Sequence, residues 1–135
     1  MTGAFVSFVT SLCFLIVGTQ GLEGEMAELA KMLRDNCLEE TGADVALIDK
    51  VNQGATLMPD GKLKCYIKCV METAGMMSGG EVDVEAVVAV LPEELQRHAD
   101  TMRACGTKRG LDDCDTAFLT QACWQAGCPK DYILI

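Results

Sequence analysis

Histidine occurs once in these 135 residues, at His98, and proline only three times. There is no G-x-S-x-G turn, no H-E-x-x-H pair and no EF-hand-type acidic loop. Small helical disulfide-rich phospholipases set a His-Asp pair beside the cysteines of their catalytic helix, and nothing like it surrounds Cys65 or Cys69. The chain lacks the equipment of an enzyme, so no catalytic residue and no cofactor are expected. Cysteines spaced as C-x3-C lack the second ligand pair that zinc sites normally add, so no metal is expected either. Basic residues are scarce, 11 against 20 acidic ones for a net charge of −9, which excludes attraction to nucleic acid or to anionic lipid surfaces. The acids are scattered rather than run together and read as a solvated surface. No repeat or low-complexity segment is present.

Charge is missing altogether from Met1 to Gly21. Within that stretch Ala4–Val17 (AFVSFVTSLCFLIV) is an apolar run of the length a secretory signal needs, and shorter than the roughly 20 residues of a membrane span. Thr19 and Gly21 are the small residues before the expected cleavage point. The reading is a signal peptide over 1–21 and one extracellular domain over 22–135. Cys13 leaves with the leader, so an odd number of the 8 cysteines remains in an oxidising compartment.

Six of those cysteines, Cys37, Cys65, Cys69, Cys105, Cys114 and Cys123, form a regular series. On a helix, Cys65 and Cys69 stand one turn apart with Cβ atoms roughly 5 to 6 Å from each other, whereas a disulfide needs roughly 3.5 to 4.5 Å. Each must reach a different neighbour. If Cys114 to Cys123 is also one helix, its rise of roughly 1.5 Å per residue separates that pair by about 13 Å and forbids it too. Geometry leaves the other connectivities open. Cys128 stands beyond the series, after Gly127 and before Pro129, in a segment that has left the helix. It reads as an exposed spare thiol, free or intermolecular with a homodimer as the outcome, or as a pairing alternative to Cys123.

Pro59, Pro92 and Pro129 lie at expected boundaries rather than inside periodic runs, and helices are the natural reading of what lies between. The spacing predicts helices over Glu25–Thr41, Asp44–Gln53 with Asp44 as N-cap, and Lys62–Thr73. After breaks at Gly75, Gly79 and Gly80, EVDVEAVVAVL is read as a short buried helix stopped by Leu91 and Pro92. The next helix takes Pro92 into its first turn and runs to about Ala104 with Leu95, Ala99 and Met102 inward. The last, about Asp113–Ala126, carries Phe118, Leu119, Ala122 and Trp124. The fold class is therefore all-α, with about six helices.

Methionines gather around Gly75 at Met71, Met76 and Met77. Unbranched, polarisable side chains of this kind adapt to guests of varied shape, which suits a deformable pocket wall. The runs GKLKCYIKCVMETAG and CGTKRGLDDCDTAFLTQACW resemble the insect odorant-binding protein family in its six-cysteine form, and the ending CWQAGCPKDYILI resembles the subgroup whose C-terminal tail folds over the cavity. The resemblance covers Leu22 to Ile135. It implies six helices around an apolar cavity, stapled by interlocked disulfides Cys37–Cys69, Cys65–Cys114 and Cys105–Cys123. Cys128 departs from the pattern.

The resemblance also implies a function. The protein is expected to be a secreted carrier that binds small volatile apolar odorants or pheromones and delivers them through extracellular, sensillar fluid to odorant receptors at a membrane surface. The implied wall comprises Val84, Val87, Val88 and Leu91, then Leu95 and Met102, then Phe118 and Trp124, and Tyr132 and Ile133 from the tail. His98, three residues after Leu95 and four before Met102, is a candidate polar handle, with pairing to Glu94 on the surface as the alternative. In the subgroup the tail carboxylate is held by the framework, here Ile135 by the Tyr66 hydroxyl and the Arg34 guanidinium. Both favour the ionised form, so the tie weakens in acid. Two other readings stand beside this one: a carrier of other lipophilic ligands in non-sensory tissue, and a disulfide-rich secreted interaction or defence protein.

Overall fold

The computed structural model describes residues 24, 25 and 27–135. The leader expected over 1–21, with Cys13, and Met26 lie outside the described residues. The chain divides into two units, Met1–Met32 and Leu33–Ile135, and the described residues of the first are helical.

Within the second unit, α1 covers residues 33–41, α2 Val45–Asn52 and α3 Gly61–Thr73, followed by β1 Met77–Ser78, β2 Glu81–Val82 and α4 Val84–Val90. A 3₁₀ turn, Glu93–His98, leads into α5 Ala99–Cys105, and α6 Asp113–Gly127 completes the order. Aspartate starts four of these helices. Asp44, Asp60, Asp83 and Asp112 each accept a backbone N–H of the first turn, from Ala46, Leu63, Ala86 and Asp115, at 2.8–3.1 Å. Such a cap stabilises a helix by about 1 kcal/mol, so part of the acidic excess has a structural task.

α3 is the central element. Leu63, Tyr66, Ile67, Val70 and Met71 recur at helical spacing and are buried, mainly against α6. Lys64 ties the two helices together, its Nζ 2.8 Å from Asp115 Oδ1 and 5.1 Å above the Phe118 ring. Lys64 and the Leu111 N–H hold the Asp115 carboxyl below its usual range. The disulfides are Cys37–Cys69, Cys65–Cys114 and Cys105–Cys123, with Cα separations of 5.7, 4.6 and 6.0 Å. They run α1 to α3 to α6 to α5, and they are the pairs that the resemblance implies.

Three local readings change. The stretch from Glu81 is divided: Met77 pairs with Val82 and Ser78 with Glu81 in a small antiparallel hairpin, and α4 starts only at Val84. The turn residues decide this, since Gly79 and Gly80 take φ of +58° and +77° and form the two-residue loop such a hairpin favours. Secondly, Pro92 is extended (φ −54°, ψ 152°) and precedes a 3₁₀ turn that gives way to α5 at His98. Gln96 holds this corner by donating to Val88 O and Leu91 O at 2.9 and 3.0 Å. Thirdly, Leu119 faces outward.

A Cβ at Gly80 would lie 2.7 Å from Asp113 Oδ1, whereas one at Gly79 would meet nothing within 4 Å. Both positions carry the left-handed cost of about 1 to 2 kcal/mol for a residue with a side chain. Gly80→Ala is therefore expected to lower urea stability by more than that amount, and Gly79→Ala by about that amount. Equal losses would mean that the Asp113 contact yields freely.

Candidate functional site

The second unit holds an apolar cavity of about 320 Å³, partly open to solvent. Val70 of α3 and Met76 just beyond that helix line it, as do Val87 and Val90 of α4 and its C-cap Leu91. Pro92, Leu95, His98 and Met102 come from the following corner and α5, and Gln121 and Trp124 from α6. Cys128 and Asp131–Ile135 cover the remaining side.

Of the wall implied by resemblance, Val87, Leu91, Leu95, His98, Met102, Trp124, Tyr132 and Ile133 are brought together here. Val84, Val88 and Phe118 are elsewhere. Val84 opens α4 and packs on the core. Val88 is buried but turned about 100° from Val87, as consecutive residues of a helix are. Phe118 is one turn before Gln121, inside the joint between α3 and α6 where Lys64 covers its ring.

His98 does not pair with Glu94. Its Nε2 lies 2.6 Å from Asp131 Oδ2, the same oxygen that accepts from Arg97 Nη2 at 2.6 Å. These two partners, His98 first, hold the Asp131 carboxyl below the usual carboxylate range. Asp131 stands at the root of the tail, so this cluster fixes where the tail leaves the helical frame.

Cys128 corrects the expectation of an exposed thiol. It is 8% exposed, and its Sγ donates to Trp124 O at 3.0 Å. Cys128 caps α6 one turn beyond Trp124, so it continues the inward face of that helix even though the helix has ended. Burial, and then the Asp131 charge, push the thiol's pKa up. A sealed, protonated thiol is poorly suited to linking two chains.

The tail is clamped by a residue that sequence reasoning missed. Asn52, the last residue of α2, donates through Nδ2 to Leu134 O and accepts from Leu134 N, both at 2.8 Å. Leu134 is thereby buried to 2% exposure. The Tyr66 hydroxyl donates to the Ile135 backbone oxygen, and burial pushes its pKa up, so it remains a donor. Arg34 has another partner, Asp49 of α2, with Nη2 3.5 Å from Oδ1. The Arg34 charge also acts on the Tyr66 hydroxyl, lowering the pKa that burial raises.

Gln121 was also missed, although Gln121, Trp124 and Cys128 follow each other at helical spacings of three and four. The Tyr132 hydroxyl donates to Gln121 Oε1. Among the described residues no group of acidic, histidine and cysteine side chains could hold a metal ion, and no helix is long and apolar enough to cross a membrane.

The sequence profile of the PBP/GOBP family matches residues 19–127. General odorant-binding protein 69a of Drosophila melanogaster is 34% identical over 133 residues, covering 93% of this chain and 90% of that protein. The medfly odorant-binding protein CcapOBP22/CcapOBP69a superposes with a TM-score of 0.65 at 31% identity, over 74% of this chain and 88% of its own. Odorant-binding protein 4 of Chrysopa pallens gives 0.71 at 26% identity, over 84% and 98%. An all-α frame closed by three disulfides around an apolar cavity accords with these likenesses, and the chain belongs to the PBP/GOBP family of insect odorant-binding proteins, carriers of small hydrophobic ligands.

Proposed function

We propose that this protein is an extracellular carrier that takes up small volatile apolar molecules, odorants or pheromones, and delivers them through aqueous fluid to receptors at a membrane surface. The observation that carries this reading is the apolar cavity of about 320 Å³ with the tail laid across it. That volume falls in the range of roughly 300–1,000 Å³ typical of small-molecule sites. Binding is then a partition. Each buried methylene contributes about 0.8 kcal/mol, so a guest with about ten carbons reaches roughly 8 kcal/mol, the scale of micromolar affinity. The charge-free segment Met1–Gly21 supports export, and a net charge of −9 keeps a carrier soluble at high concentration.

A carrier must also close and open, and the tail is the element suited to that. Its ties are the Asn52 pair on Leu134, the Tyr66 hydroxyl on Ile135, and the Asp131 cluster at its root. Asp131 sets a direction for acid. A carboxyl held below its unfolded value stabilises the closed form above that value, about 3.9, and loses its effect as pH falls through the folded one.

Displacement of a fluorescent apolar probe by medium-chain alcohols and esters tests the carrier reading. The expected result is one probe per chain, released at micromolar ligand. Absence of probe uptake would favour a secreted interaction protein with an incidental cavity. Asn52→Ala removes two neutral hydrogen bonds and should weaken ligand binding about tenfold; unchanged affinity would mean that the tail does not close the site. Asp131→Asn should lower the thermal unfolding midpoint at neutral pH, with the gap persisting to about pH 4 and closing below it. A gap already gone at pH 6 would contradict the assignment of this tie to the Asp131 carboxylate.

A further inference from the structure

Most polar groups around the cavity already have partners. His98 Nε2 and Arg97 share Asp131, Cys128 Sγ is on Trp124 O, and the Tyr132 hydroxyl is on Gln121 Oε1. The Trp124 indole N–H has no hydrogen-bond partner among the described residues, but its nitrogen is sealed from contact. Gln121 Nε2 differs on both counts. It makes no hydrogen bond among the described residues, and it is not one of the sealed atoms, the sole one among them without a partner being the Trp124 nitrogen. Gln121 as a whole is 6% exposed and is one of the residues lining the cavity, so its unpartnered amide nitrogen belongs to a side chain that a guest there meets.

The orientation follows from hydrogen-bond chemistry. Gln121 Oε1 carries no proton, so the Tyr132 hydroxyl must be the donor of that bond. With its oxygen held by Tyr132, the amide turns its two N–H bonds to the other side. We infer that Gln121 is the specificity-determining residue of this cavity, and that the preferred guests carry a hydrogen-bond acceptor, a ketone, aldehyde or ester oxygen, on an otherwise apolar body. This inference rests on the carrier reading and narrows the ligand class. A hydrocarbon that fills the cavity strips the amide of water and gives it nothing in return, whereas a carbonyl oxygen replaces the bond. Tyr132 acts as a positioning residue, since it fixes which end of the amide the guest meets.

The test uses the chain from Leu22 to Ile135 and two ligands, a medium-chain methyl ketone and the n-alkane of the same chain length, each displacing a fluorescent apolar probe. Gln121→Met keeps length and apolar bulk but removes the donor. It is expected to lower the ratio of ketone to alkane affinity about 3- to 10-fold. Tyr132→Phe frees the amide to rotate and is expected to lower the same ratio by a smaller factor. A ratio that does not fall in Gln121→Met overturns the inference while the carrier reading stands. If circular dichroism finds Gln121→Met unfolded, Tyr132→Phe decides, and an unchanged ratio there overturns it. A wild-type protein from which neither ligand displaces probe overturns the carrier reading itself.

Discussion

The path of the three disulfides, from α1 through α3 and α6 to α5, is the constraint on which the rest of the structure depends. A domain that keeps an apolar cavity forgoes burial there. Walls left without a packing partner forfeit the dispersion contacts that a filled core would give them. Loops of the lengths closed here stabilise by about 3 to 4 kcal/mol each, which offsets that loss. The staples hold α3, α5 and α6, which contribute to the cavity wall, and tie α1 to α3, while Tyr66, Ile67 and Phe118 belong to the packed core. The cavity is therefore supported by cross-links and not by its own contents.

The tail completes the wall from outside this frame. Asn52 receives Leu134 with a donor and an acceptor at once, the pattern of one strand meeting another, and Asp131 is fixed at the root by His98 and Arg97. Both anchors are polar; Asn52 lies outside the residues that line the cavity, whereas His98 and Asp131 are among them. The thiol of Cys128 obeys the same logic. It ends α6 facing inward and covered by the tail, which makes it part of the wall.

Much of the helical frame was legible in the sequence because apolar residues three and four apart mark the inner faces of α3 and α6 directly. The pairing of the cysteines was not. Helix geometry forbids Cys65–Cys69 yet leaves several alternatives, and only the likeness to a family separates them. Glu81–Leu91 misled because its valines fit a strand and a helix equally, and the Gly79–Gly80 turn that settles the matter lies just outside the run. The tail contacts were illegible for a different reason. Asn52 and Leu134 are separated by 82 positions, and no local periodicity links residues that far apart. Gln121 was within reach of helical spacing, three residues before Trp124, and stands out once Tyr132 is seen to hold its oxygen.

The central claim is that a guest occupies this cavity and touches Trp124, which lines it and is the sole tryptophan of the chain. Titration with a medium-chain bromoalkane, whose heavy atom quenches indole emission on contact, tests that claim most directly. Quenching that saturates at one guest per chain is the predicted result. Calorimetric binding with undiminished tryptophan emission would place the guest elsewhere and contradict the account.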